Sequence, residues 1–119
     1  MRGDGMIIDK PWGYERIWAK TDKYVAKILH IKAGHKLSLQ KHEIKEETIL
    51  VNEGRLHLVY HNDGKEIKSI LSPGDTFHVK PGTVHRFCAG KDDGPVTLIE
   101  VSTTEIDDVI RLEDDYDRK

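Results

Sequence analysis

The stretch from Gly34 to Gly54, G-H-K-L-S-L-Q-K-H-E-I-K-E-E-T-I-L-V-N-E-G, decides how the rest of the chain is read. Within it Gln40, His42 and Glu47 offer an amide oxygen, an imidazole nitrogen and a carboxylate, framed by glycines. Gln40 and His42 are two positions apart, so on a strand they point to the same side. Glu47 comes five positions after His42, far enough for a tight turn to bring the chain back beside them. Three such groups facing one interior point suit a divalent cation. A fourth candidate, His85, follows the Pro81-Gly82 turn in K-P-G-T-V-H and enters another extended run.

Outward from this stretch the sequence reads as short strands separated by turn signals. Residues 7–18 form an extended arm interrupted at Lys10-Pro11-Trp12-Gly13, and residues 24–32 are a strand by length and β-branched content. Residues 36–42 and 47–52 flank a turn at 44–46. Residues 55–61 and 66–71 lie either side of Asn62-Asp63-Gly64, where Asp-Gly is a strong hairpin signal. Residues 76–80 and 85–89 flank Pro81-Gly82, and residues 95–102, P-V-T-L-I-E-V-S, close the series. About nine strands at this spacing predict an all-β, single-domain jelly-roll barrel spanning 1–119. Residues 1–6 read as a flexible start and 103–119 as a C-terminal tail with a short helical turn at 105–112. Val109, Ile110 and Leu112 are expected to dock that tail against a sheet.

Composition narrows the function classes. The 119 residues suffice for one domain with a core of its own. A net charge of −2 provides no basic field to recruit nucleic acid or an anionic membrane. One cysteine excludes an intramolecular disulfide and suits a reducing compartment. No apolar run approaches the ~20 residues of a membrane span, and the N-terminus lacks a signal-peptide core. The expectation is a cytoplasmic protein.

The spacing G-x5-Q-x-H-x4-E-x6-G from Gly34, followed by G-x5-K-P-G-x2-H from Gly74 to His85, resembles the two signature motifs of the cupin superfamily. Gln40 stands where most cupins carry His. The resemblance sharpens in an ordered set: Lys10-Pro11-Trp12-Gly13, Leu37-Ser38-Leu39-Gln40, Gly82-Thr83-Val84-His85-Arg86 and Arg111-Leu112-Glu113-Asp114-Asp115-Tyr116. These look like the R-P-W-G, L-S-L-Q-x-H, G-T-P-H-R and R-F-E-D-D-Y strings of the type II mannose-6-phosphate isomerase domain. In that family the domain usually follows a much larger nucleotidyltransferase domain, to which the present 119 residues offer no counterpart. The sequence also departs beside the motif, with Glu43-Ile44-Lys45-Glu46 where the family is His-rich and Thr48-Ile49 where it carries His-Trp.

The resemblance implies a double-stranded β-helix that isomerises a hexose 6-phosphate from aldose to ketose. It implies one divalent ion per chain, held by Gln40, His42, Glu47 and His85, with zinc or manganese foremost and iron, cobalt or nickel also compatible. Such chemistry needs a general base for a carbon-bound proton, and His78, Glu46 and His57 are the candidates. It also needs fixed cations for a phosphate. Arg86 follows His85, Lys36 precedes Gln40 by four positions, and both match basic positions of the family. Lys27 alternates with Val25, Leu29 and Ile31, an odd place for a charge unless it faces a polar interior. A cupin-like homodimer is expected as well. Two other readings stand beside the isomerase: a sugar-binding cupin that keeps the metal without the chemistry, and a metal-dependent oxygenase, against which Gln40 in place of His counts.

Overall fold

The computed structural model describes residues 6–118. Eleven strands follow in order: β1 (Met6–Lys10), β2 (Gly13–Lys20), β3 (Val25–Ile31), β4 (Leu39–Lys41), β5 (Glu47–Glu53), β6 (Leu56–Asn62), β7 (Lys65–Leu71), β8 (Thr76–Val79), β9 (His85–Ala89), β10 (Val96–Ser102) and β11 (Ile110–Glu113). There is no helix among the described residues, and so none long and apolar enough to cross a membrane. The strands form a six-stranded sheet, β1-β2-β3-β10-β5-β8, and a five-stranded sheet, β11-β4-β9-β6-β7, with every pairing antiparallel.

Alternation explains why the two sheets close on each other. In β5, Glu47, Ile49 and Val51 are buried while Thr48 and Leu50 are less so. In β10 the buried set is Val96, Leu98, Glu100 and Ser102. In β6 and β9 it includes Leu56, Leu58, His85 and Phe87. Each strand therefore turns one face toward a shared interior. The β6–β7 hairpin closes as the Asp-Gly signal predicts: Asn62 pairs with Lys65, and Asp63 and Gly64 take the φ values of 52° and 75° that a two-residue turn of this kind requires.

Four expectations are corrected. The arm at 7–18 is two strands folded back on each other, which brings Trp12 at the bend into the core. Of the strand expected at 36–42, only Leu39–Lys41 forms a ladder, and Lys36 makes an isolated bridge with Cys88. The helical turn expected at 105–112 is absent. Bends and turns precede β11, whose backbone pairs with β4, so a distant partner outweighs the local preference. Met6, assigned to the flexible start at 1–6, begins β1; the remainder of that start, and Lys119 at the end of the tail, lie outside the described residues.

The interior is not uniform along the barrel. Leu98 lies opposite Leu29 and Val51, and Val96 opposite Ile31, all buried and apolar. Two positions further along the same strands, Glu100 lies opposite Lys27, and Ser102 opposite Glu47. These four are buried too. One end is an apolar core and the other a pocket of buried polar groups.

Candidate metal centre

The polar end holds a cavity of about 360 Å³ whose lining includes Trp12, Glu15, Lys27, Gln40, His42, Lys45, Glu47, Glu100 and Arg111. Three ligand-bearing side chains meet there. His42, Glu47 and His85 are all buried, and one donor atom from each lies within 4.8 Å of the others. They come from both sheets: His42 directly follows β4, His85 opens β9, and Glu47 opens β5 across the interior. Gln40 is the cross-strand partner of His85 and so shares its face of the sheet. Its Oε1 accepts a hydrogen bond from Ser38 Oγ at 3.3 Å.

Both imidazoles are fixed by backbone carbonyls. His42 Nδ1 donates to the Asp108 carbonyl at 2.6 Å, and His85 Nδ1 donates to the Thr83 carbonyl at 2.9 Å. With the proton on Nδ1, each Nε2 is left with a free lone pair, the arrangement usual for metal-ligating histidine; His42 lines the cavity and His85 lies buried behind it. Those two Nε2 atoms are buried without a hydrogen-bond partner among the described residues, while Glu47 Oε1, also buried, is ion-paired with Lys45 Nζ. Each unpartnered Nε2 would cost about 1–3 kcal/mol if nothing compensated it. His42 Nε2 lies 3.2 Å from Glu47 Oε1, a contact that is attractive only if the ring is protonated or a cation reconciles two lone pairs. The donor set therefore fits a divalent cation.

The electrostatics of the cluster are set by its buried charges, among them the Lys45 ammonium, which shares Glu47 Oε1 with any cation bound there. Burial alone would raise the Glu47 carboxyl, but contact with His42 and the charge of Lys45 outweigh it and hold the group at about 2. Burial lowers His85, which keeps that ring neutral and able to donate a lone pair. Lys45 is buried between two carboxylates, 3.1 Å from Glu47 Oε1 and 3.2 Å from Glu100 Oε2. Burial opposes its charge, yet Glu100 and Glu47 together raise its pKa above the ordinary lysine value. Glu100 is pushed up by burial and then by the negative charge of Glu47, more than Lys45 and Lys27 can offset.

The other residues expected in the site lie elsewhere, with one exception. Lys27 lines the cavity, its Nζ 3.2 Å from Glu15 Oε1. Arg86 points away, because β9 alternates and His85 takes the inward position. Its guanidinium serves the Leu37 carbonyl at 2.7 Å and Asp115 at 3.0 Å. Lys36 is exposed and sits 3.6 Å from Asp115. Neither lines the cavity. His78 and Glu46 pair with each other at the surface, and His57 pairs with Asp93 at 2.7 Å; alternation puts Glu46 beside inward Glu47, His78 beside buried Val79 and His57 between buried Leu56 and Leu58. These three base candidates are thus outside the cavity.

Sequence reading passed over Lys45 and Glu100, and took Arg111 only as part of the tail motif that could close over the barrel. The signal for Glu100 was present, since V-T-L-I-E-V-S places it in register with Val96 and Leu98, as Lys27 was with Leu29. Arg111 is the cross-strand partner of Gln40, which is in turn opposite His85, so the three occupy one inward row. Its Nε is buried without a hydrogen-bond partner, and it makes no ion pair among the described residues.

Comparison with known proteins places this geometry. A family model described as mannose-6-phosphate isomerase C-terminal matches residues 5–114. The mannose-1-phosphate guanylyltransferase ManC of Salmonella typhimurium is 32% identical over 114 residues, 92% of this chain and 22% of that protein. The chain spans about a fifth of the length of the curated relatives it matches. Among solved structures, the capsular polysaccharide assembling protein CapF from Staphylococcus aureus superimposes with a TM-score of 0.78 at 18% identity, over 91% of this chain and 34% of that one. A cupin-2 domain protein from Rhodospirillum rubrum does so with a TM-score of 0.68 at 15% identity, over 77% of this chain and 60% of that one. At these identities the likeness is one of fold: the barrel is a cupin.

Proposed function

This chain belongs to the mannose-6-phosphate isomerase C-terminal family, and from that premise we propose that it is a divalent-metal-dependent aldose–ketose isomerase acting on a hexose 6-phosphate. The observation that carries the reading is the convergence of three buried ligand-bearing side chains, His42, Glu47 and His85, with both imidazole Nε2 atoms unpartnered, beside a cavity of sugar-sized volume. With Gln40 they would hold the ion, zinc or manganese foremost. When bound, that ion would supply Lewis-acid stabilisation of charge developing on the substrate oxygens.

The chain's own residues have separable tasks. Trp12 and Phe87 wall the cavity and exclude water. Glu100 is the cavity carboxylate nearest in role to a general base. It faces the cavity with its Oε2 3.2 Å from Lys45 Nζ, and burial together with the charge of Glu47 raises its pKa. Arg111 replaces Arg86 and Lys36 as the phosphate contact, because it borders the cavity, its Nε is unpartnered and it has no counter-ion among the described residues. In the homodimer expected from the family, Trp18 and Val101, exposed on the six-stranded sheet, would be candidates for the interface.

The test is turnover in heavy water. An aldose 6-phosphate should yield ketose carrying deuterium from solvent, a chelator should stop the reaction, and restored metal should revive it. A panel of aldose phosphates that gives neither ketose nor exchange with zinc, manganese, iron, cobalt and nickel each supplied would retire the isomerase. Tight binding without turnover would then favour a sugar-binding module on the same four ligands, and oxygen consumption an oxygenase.

A further inference from the structure

The connection from His42 to Glu47 crosses between sheets, since β4 belongs to the five-stranded sheet and β5 to the six-stranded one. No strand ladder runs through it, so its backbone N–H groups need partners from elsewhere. They find one carboxylate. Asp108 Oδ1 accepts from the Glu43 N–H at 3.2 Å, and Oδ2 accepts from Ile44 and Lys45 at 2.7 and 2.9 Å. The main-chain carbonyl of the same residue accepts from His42 Nδ1 at 2.6 Å. Just beyond, Glu46 N–H donates to Thr103 Oγ1 at 3.0 Å, and Thr103 N–H donates back to the Glu46 carbonyl at 3.0 Å.

We infer that Asp108 is a positioning residue of the metal centre: by gripping the 43–45 turn with its side chain and the His42 ring with its carbonyl, it sets the tautomer and aim of one ligand and the approach of the other. The inference rests on the metal reading above and extends it to the C-terminal segment. A carbonyl partner on a ligand's remote nitrogen is the kind of support that tunes a metal site. Here the side chain of the same residue locks that carbonyl in place. Nothing else among the described residues accepts hydrogen bonds from the three turn amides. The segment 104–109 therefore does more than dock the tail. It ties together the two sheets that each contribute ligands.

A comparison of three variants separates positioning from general tail stability. Asp108→Ala removes the grip on the turn, and Asp108→Asn keeps one acceptor oxygen. Asp115→Ala loosens the same tail at Arg86 and Lys36, away from the cavity. Two readouts are used: the His42 ring tautomer by nitrogen NMR in metal-free protein, and the affinity for cobalt(II). The wild type should show His42 protonated on Nδ1 alone. Asp108→Ala should average the two tautomers and bind cobalt about 10–100-fold more weakly, with Asp108→Asn between it and the wild type. Asp115→Ala should keep the tautomer and lose no more than about fivefold, because its carboxylate is half-exposed and its partners Arg86 and Lys36 do not line the cavity. An Asp108→Ala variant with the wild-type tautomer and affinity would overturn the inference, and so would an equal loss in Asp115→Ala. A wild type that ignores cobalt, while the tautomer difference persists, would sink the metal reading and leave the positioning role supported.

Discussion

The two ends of the barrel interior are built from the same strands by the same alternation, yet they are different materials. At one end Leu29, Val51, Val96 and Leu98 pack as an ordinary apolar core. At the other, Lys27, Glu47, Glu100 and Ser102 occupy equivalent inward positions, with Lys45 brought in from a turn. The apolar end gains from area removed from water and needs no particular partner. The polar end is stable only while each buried charge keeps a counter-charge, because a lone ion in that setting is costly. The difference teaches that a strand's inward face defines a direction, and that the identity of its residues defines whether the direction leads to a core or to chemistry.

Breaking the polar end should have the larger effect. In metal-free protein, Lys45→Met leaves Glu47 and Glu100 buried together without their shared cation. The loss should be about 3–5 kcal/mol, the range for removing one partner from a buried pair, measured by denaturant unfolding. Leu98→Ala probes the other end. Leu98 is fully buried, and its truncation should cost about 2–5 kcal/mol while leaving metal affinity unchanged. A loss of metal binding in Leu98→Ala would show that the ends are not separable. Arg111→Ala is the mildest change and sharpens the polar end's role. It should weaken phosphorylated sugars by about 1.5–3 kcal/mol, roughly ten- to 150-fold, and neutral sugars hardly at all. Calorimetry on matched sugar pairs measures it, and equal weakening of both classes would make Arg111 a wall residue.

Much of the fold is legible in the sequence because its signals are local. Asp63-Gly64 declares a hairpin, and length with β-branched content declares the strand at 24–32. Gln40, His42 and Glu47 stand out because two-residue and five-residue steps around a turn constrain which way they face, and His85 because it follows the Pro81-Gly82 turn. What escapes is what depends on distant pairing. Residues 110–113 form a strand because β4 lies alongside, 70 or so positions away in the chain. Arg86 looked like a site residue by adjacency to His85, but adjacency on a strand means opposite faces. The same rule, applied to His57 and His78 with their buried neighbours, would have placed them outside. Asp108 carries no signal at all in an acidic tail, since its partners are backbone amides more than 60 positions upstream.

The central claim is that the polar end is a metal centre, and metal content measures it most directly. Wild-type protein and the double variant His42→Ala with His85→Ala should each be equilibrated with zinc or manganese, freed of unbound ion and subjected to elemental analysis. The account predicts one ion per wild-type chain and none in the variant, with the β-barrel circular dichroism largely intact in both. Metal retained at full stoichiometry in the double variant, or none acquired by the wild type, would contradict it.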